Sequence, residues 1–405
     1  MSLKPNDAVP RGSEGGQKRD SHVPALDGLR GLAIIMVLFV HFIGDAQPYS
    51  AFERILMKAS NYGMWGVDLF FVLSGYLITG ILYDSKGSAH YFRNFYMRRV
   101  LRIFPLYYAV LFLLFFVLPL FPSLVPTGLT ESSRHQGWAW SYGINLFIAQ
   151  RGEWALPYIS HFWSLAVEEH FYLLWPVIVL AASRESLLRI CAGCALFSLA
   201  LRIVLSLAGM NEISTQVLTP CRFDALCTGG FLAVASRSGA RSTLIGAARP
   251  AVLVLASAIL ALSALTATTQ WLPGPSHALR SFLIALFFGA LLLACVHAEP
   301  DSFIGRFFNH PAMRFFGKYS YGIYVYHGVI AYFLVDKRIE DDLTKPLGSH
   351  FLAVLVEAAA GVGLSVLVSV LSYEWFEKRF LRLKRSFGEG VPRPGELGVK
   401  AAPLS

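Results

Sequence analysis

Residues 25–42 read Ala25-Leu-Asp-Gly-Leu-Arg30-Gly-Leu-Ala-Ile-Ile-Met-Val-Leu-Phe-Val-His41-Phe42, an apolar run from Leu32 to Val40 bounded by one cation and one imidazole. Arg30 and His41 lie eleven residues apart, close to three helical turns, so a helix presents both on one face. At about 1.5 Å rise per residue the imidazole sits roughly 16 Å from the guanidinium, near the middle of a ~30 Å hydrocarbon layer. An ionisable group at that depth is unfavourable unless it faces a cavity or a partner, so His41 is read as a functional residue.

The rest of the chain supports the membrane reading. Hydrophobic residues make up 55% of the 405 residues and charged ones 15%, and the mean hydropathy is +0.52. These values point to a polytopic all-α membrane protein rather than soluble domains. Ten spans are expected, at about 29–43, 64–83, 103–120, 161–182, 187–208, 221–236, 250–268, 280–297, 319–335 and 351–372. With both termini cytoplasmic, 25 Lys and Arg fall on inner segments and 8 on outer ones, counting Arg30 and Arg280 with the segments they border. That bias fits the positive-inside rule, so the net charge of +9 reports topology and not nucleic-acid binding. Trp138–Ala149 is too short to cross and is expected to be re-entrant or interfacial, outside. Residues 1–24 read as a disordered cytoplasmic tail with no signal peptide, 25–380 as the transmembrane domain and 381–405 as a basic cytoplasmic tail. The five cysteines lie in or beside apolar segments and read as packing residues.

Polar residues inside the spans mark the chemistry. The second span holds Asp68 and the pair Ser74-Gly75 among aromatics. A buried carboxylate needs a partner or a proton, whereas Ser-Gly also suits close helix packing. Arg99 and Arg102 share a helix face at the inner membrane edge, and two guanidiniums so placed suit a polyphosphate; ordinary positive-inside anchoring is the alternative. In the fourth span His161, Ser164, Glu168 and Tyr172 follow i, i+3, i+7 and i+11 and form one polar stripe. Glu169 lies about 100° away around that helix. Glu168, or else Glu169, is therefore expected to orient His41. Arg222 and Asp224 read as an ion pair. The tyrosines around Tyr319–His327 suit sugar stacking or simple packing, and His327 is an intramembrane histidine. No spacing resembles a metal site.

Taken together, these stretches resemble the membrane acyltransferase-3 family of bacterial O-acyltransferases. The resemblance rests on Leu26-Asp-Gly-Leu-Arg-Gly-Leu-Ala, Gly66-Val-Asp-Leu-Phe-Phe-Val-Leu-Ser-Gly-Tyr, Arg98-Arg-Val-Leu-Arg-Ile-Phe-Pro, Phe162-Trp-Ser-Leu-Ala-Val-Glu-Glu, Arg222-Phe-Asp-Ala-Leu and Tyr319-Ser-Tyr-Gly-Ile-Tyr-Val-Tyr-His. It spans about residues 25–380, departing modestly at His170 and Cys227. The resemblance implies about ten helices in a plasma (inner) membrane and an acyl-CoA co-substrate, most simply acetyl-CoA, used from the cytoplasm. It also implies a hydroxyl acceptor on a surface or lipid-linked glycan. Its Arg-x10-His signature falls on Arg30 and His41, and its Arg-x-x-Arg on Arg99 and Arg102. The expected site is thus catalytic His41, Glu168 and Glu169, donor-binding Arg30, Arg99 and Arg102, and substrate-contacting Asp68, Ser74, His161, Tyr172 and His327. No permanent cofactor, metal or nucleic acid is expected; membrane lipids are. A proton-coupled transporter or a flippase would also use buried His, Glu and Asp, but the paired broken helices and internal repeat of a transporter are missing. A macrolide-like acceptor remains an alternative. The hydrolase-like outer domain of some family members is not seen in this sequence, which leaves open a separate transferase.

Overall fold

A computed structural model describes residues 23–269 and 273–387, and every regular element among them is helical. The chain runs through α1 (Pro24–Phe39), α2 (Ala51–Ser60), α3 (Trp65–Asp84), α4 (Tyr91–Phe112), α5 (Thr127–Arg134), α6 (Gly137–Trp140), α7 (Ile144–Arg151), α8 (Trp163–Ala181) and α9 (Arg184–Leu207). It continues through α10 (Glu212–Val217), α11 (Phe223–Ala235), α12 (Arg241–Thr269), α13 (Pro273–Val296), α14 (Phe303–Asn309), α15 (Pro311–Asp336), α16 (Ile339–Leu347), α17 (His350–Ser372) and α18 (Lys378–Leu383).

Eight helical stretches among the described residues are long and apolar enough to cross a membrane. The chain is a polytopic helical protein. The two remaining expected spans differ for physical reasons. Helix α11 has only 13 residues, about 20 Å, short of a ~30 Å layer. Helix α15 has 26 residues, but its tyrosines, Ser320 and His327 lower its hydropathy, and it is packed in the interior. The Trp138–Ala149 stretch is not one segment: α6 and α7 are short helices joined through Tyr142, which takes φ +55°. Of the expected tails, residues 1–22 and 388–405 lie outside the described residues. Residues 381–387 instead continue the helical path from α17.

The interior is a row of tightly packed helices: α15 against α1, α1 against α3, α3 against α11, and α11 against α9 and α13. Glycine sets these approaches. A Cβ on Gly317 would fall 1.8 Å from the Asp27 carbonyl oxygen, and one on Gly75 would fall 1.8 Å from that of Leu226. No side chain fits there, so backbones meet directly, as small-residue packing in membranes allows. The Ser-Gly pair of the second span therefore divides its roles, with Gly75 serving packing.

Two ion pairs sit in this interior. Arg222 bonds Asp68 of α3, and Arg202 of α9 bonds Asp224; all four are buried. The expected Arg222–Asp224 pair is corrected. At the start of α11 the two side chains diverge, and each reaches a different neighbouring helix. Leaving any of the four alone would bury an unpaired charge.

Candidate active site

Helix α1 ends in a wider turn. The Asp45 amide donates to the Val40 carbonyl at 3.0 Å, a five-residue closure typical of π turns, which recur at functional sites. This turn holds His41 and Asp45 together, with Nδ1 of His41 3.0 Å from the Asp45 carboxylate. A carboxylate only accepts, so Nδ1 bears the proton and the Nε2 lone pair is free to react. Asp45 went unread in the sequence, although its four-residue offset from His41 was the available signal.

The expected pairing of His41 with Glu168 or Glu169 is corrected: among the described residues, neither hydrogen-bonds or ion-pairs with it. His41 lies in the last turn of the run Pro24–Gly44, not at its middle, because the helix begins six residues before Arg30. Glu168, about one and a half turns along α8, lines the other cavity with Arg99 and Arg102 and lies in their field. Glu169 lies in the field of Arg99, among Tyr107, Tyr142 and Tyr321, and its Oε1 is buried without a hydrogen-bond partner.

Two more histidines stand beside His41. The His327 ring lies 5.0 Å from it and the His161 ring 5.3 Å from His327, centroid to centroid. His327 Nδ1 donates to the Tyr324 carbonyl at 2.7 Å, and His161 Nε2 donates to the Val325 carbonyl at 3.1 Å. The remaining nitrogen of each, Nε2 of His327 and Nδ1 of His161, is buried without a protein partner. Each is thus an acceptor at the centre of the bundle.

Two cavities lie beside this group, and His327 lines neither of them. One, about 230 Å³, is lined by Arg30, Ser74, Arg99, Arg102, Glu168 and Tyr172. The other, about 580 Å³, is lined by His41, Asp45, Asp68, His161, Arg222 and Arg280, with Trp65, Trp154 and Trp163 on its walls. Val67 and Tyr324 border both. The Tyr324 hydroxyl donates to the His161 carbonyl at 2.6 Å and accepts from Ser164, so the waist between the cavities is fixed. The α8 stripe thus runs from one chamber to the other, His161 in the second, Ser164, Glu168 and Tyr172 in the first.

The first chamber is cationic. Arg30 bonds Asp27 at 3.0 Å, and Ser74 hydrogen-bonds Tyr172. Among the described residues Arg99 and Arg102 form no ion pair, and Arg99 Nε is buried and unpartnered. Glu168 is the carboxylate in the same wall, so three guanidiniums face one carboxylate across the cavity, and Arg99 and Arg102, free of ion pairs among the described residues, suit an anion.

The acyltransferase-domain profile of the acyltransferase-3 family matches residues 23–374. The chain is 29% identical to the peptidoglycan O-acetyltransferase OatA of Listeria monocytogenes over 76% of its own length and 49% of that protein's. It is 27% identical to the putative peptidoglycan O-acetyltransferase YrhL of Bacillus subtilis, covering 88% of this chain and 54% of YrhL. The O-acetyltransferase OatA of Staphylococcus aureus is 26% identical over 88% of this chain and 57% of its own. The chain therefore spans about half the length of these curated relatives. No solved structure matches it. A profile match across nearly all the described residues places the chain in the acyltransferase-3 family.

Proposed function

We propose that the chain is a membrane-embedded O-acyltransferase that moves an acyl group, most simply acetyl, from cytoplasmic acyl-CoA to a glycan hydroxyl beyond the membrane. The observation behind this reading is the pair of neighbouring chambers that share Val67 and Tyr324 in their walls, one bearing Arg99 and Arg102 without an ion pair among the described residues, the other the His41–Asp45 pair. The arginine end faces the cytoplasm in this reading, in a plasma membrane crossed about ten times, α11 and α15 included. The CoA phosphates rest on Arg99, Arg102 and Arg30, and the thin pantetheine arm passes Ser74 and Tyr172 to the waist. The acceptor lies against Trp65, Trp154 and Trp163, whose flat apolar faces suit sugar rings.

His41 Nε2 takes the proton of the acceptor hydroxyl as that oxygen attacks the thioester carbonyl. The C–O bond forms, the C–S bond breaks, and the thiolate of CoA leaves and recovers one proton. Asp45 holds the tautomer and steadies the imidazolium. The relatives named for peptidoglycan support a cell-envelope glycan as acceptor.

Thiol release from acetyl-CoA by purified wild type and His41→Ala tests this. Loss of a positioned general base lowers turnover by about 10²–10⁴-fold. Undiminished turnover in His41→Ala would remove His41 from the chemistry. Wild type incubated without acceptor reports the other role of Nε2: an acetyl mass on the His41 peptide identifies an acyl-imidazole intermediate.

A further inference from the structure

Residues 373–387 stay against the bundle. The chain turns through Tyr373–Glu377, forms α18 and passes into a tight turn, Lys384–Phe387. This segment packs along α4, the arginine helix, and the Arg93 guanidinium sits 5.4 Å above the Phe387 ring centroid. The result is that half-buried Lys384 lies in the field of Arg102, Arg99, Arg98 and Arg30. Among the described residues, no ion pair involves Lys384, Arg98, Arg99 or Arg102. Against these five cations stand three carboxylates, Asp27 paired with Arg30, and Glu168 and Glu377 in the field of Arg102. Like charges gathered with only partial compensation repel, so the cluster is stable when an anion is present.

The positions divide into two groups. Arg30, Arg99 and Arg102 line the chamber, whereas Arg98 of α4 and Lys384 in the turn packed against that helix do not. Along CoA the diphosphate precedes the pantetheine arm, and the ribose 3′-phosphate hangs on the far side of the diphosphate. A molecule whose arm enters the chamber therefore presents its diphosphate to the lining arginines and its phosphomonoester to the cations outside the lining. That monoester bears about −1.5 to −2 charge at neutral pH. Resting on the donor reading above, we propose that Lys384 is a donor-binding residue that contacts the 3′-phosphate of acyl-CoA, delivered to the site by the C-terminal segment.

The test compares acetyl-CoA with 3′-dephospho-acetyl-CoA for full-length wild type, Lys384→Ala and Lys384→Arg in nanodiscs of zwitterionic lipid, which removes anionic headgroups as rival ligands. Lys384→Ala is expected to raise KM for acetyl-CoA about tenfold, the size of one charge-assisted contact, with kcat within about twofold. Lys384→Arg should restore most of the affinity, and with the dephospho donor all three proteins should share one KM. An equal KM rise with both donors, or none with acetyl-CoA, overturns the assignment. A KM effect that appears only in anionic-lipid discs also overturns it and makes Lys384 a headgroup contact. Wild type that releases thiol from neither donor refutes the donor reading itself, before any variant is made.

Discussion

Replacing Asp45 by Asn removes a charge while keeping an acceptor for His41 Nδ1. The two groups are 3.0 Å apart, and their side chains are 25% and 53% exposed. Unit charges about 4 Å apart interact by about 1 kcal/mol in water and about 4 kcal/mol at a protein surface of effective dielectric 20. Because more than half of the Asp45 side chain meets solvent, the low end applies, and the imidazolium formed during proton transfer loses about 1–2 kcal/mol. That corresponds to a kcat about 5- to 30-fold lower. Among the described residues no other side chain bonds Asp45, so the amide can present its oxygen and keep the reactive tautomer. Asp45→Ala loses both charge and orientation and should fall further, toward the about 10²-fold floor of general-base loss. Because the proposed dock for the donor phosphates lies in the other chamber, KM for acetyl-CoA should stay within about twofold in both variants. Steady-state thiol release at varied acetyl-CoA and saturating acceptor measures both quantities. A normal kcat with a raised KM would refute the reasoning, and so would an Asp45→Ala enzyme faster than Asp45→Asn.

Other perturbations probe the scaffold and the dock. Gly317→Ala drives a methyl more than an ångström into the Asp27 carbonyl, so α1 and α15 must separate; loss of the monodisperse peak in fluorescence-detected size exclusion is expected, and a native profile would contradict the packing. Arg222→Ala strands buried Asp68, which costs about 3–5 kcal/mol and should lower the thermal midpoint, whereas Arg222→Met with Asp68→Leu should recover most of it; equal midpoints for single and double variants would refute the pairing. Acetyl-CoA at 100 times its Kd should stabilise wild type by about 2.7 kcal/mol. Arg99→Ala/Arg102→Ala should show no such shift, and a full one would empty the arginine chamber of its role.

The helices were legible because membrane spans are written in long apolar runs, and the stripe from His161 to Tyr172 was legible because helical spacing is regular. What the runs did not show was which polar residues meet. Glu168 was matched to His41 because both looked buried, yet the carboxylate that holds the imidazole lies four residues along the same chain. A π turn that draws them together has no clear sequence signature. Arg222 and Asp224 are sequence neighbours that diverge, and their true partners, Asp68 and Arg202, come from other helices. Helix α11 is short because it is enclosed by protein and need not match a bilayer. Lys384 is one of several cations in a basic tail by sequence, and only the path of the segment brings it to α4. Resemblance to the family identified Arg30, Arg99, Arg102 and His41; only the fold separated them into two chambers.

The central claim is transfer between those chambers, and proteoliposomes of one orientation test it directly. Labelled acetyl-CoA is supplied only at the arginine face and a peptidoglycan-derived acceptor only at the opposite face. Acetylated acceptor on the far side, with free CoA retained on the near side, is the predicted result. Labelled product confined to the donor compartment, or activity only when acetyl-CoA is supplied at the His41 face, would contradict the account.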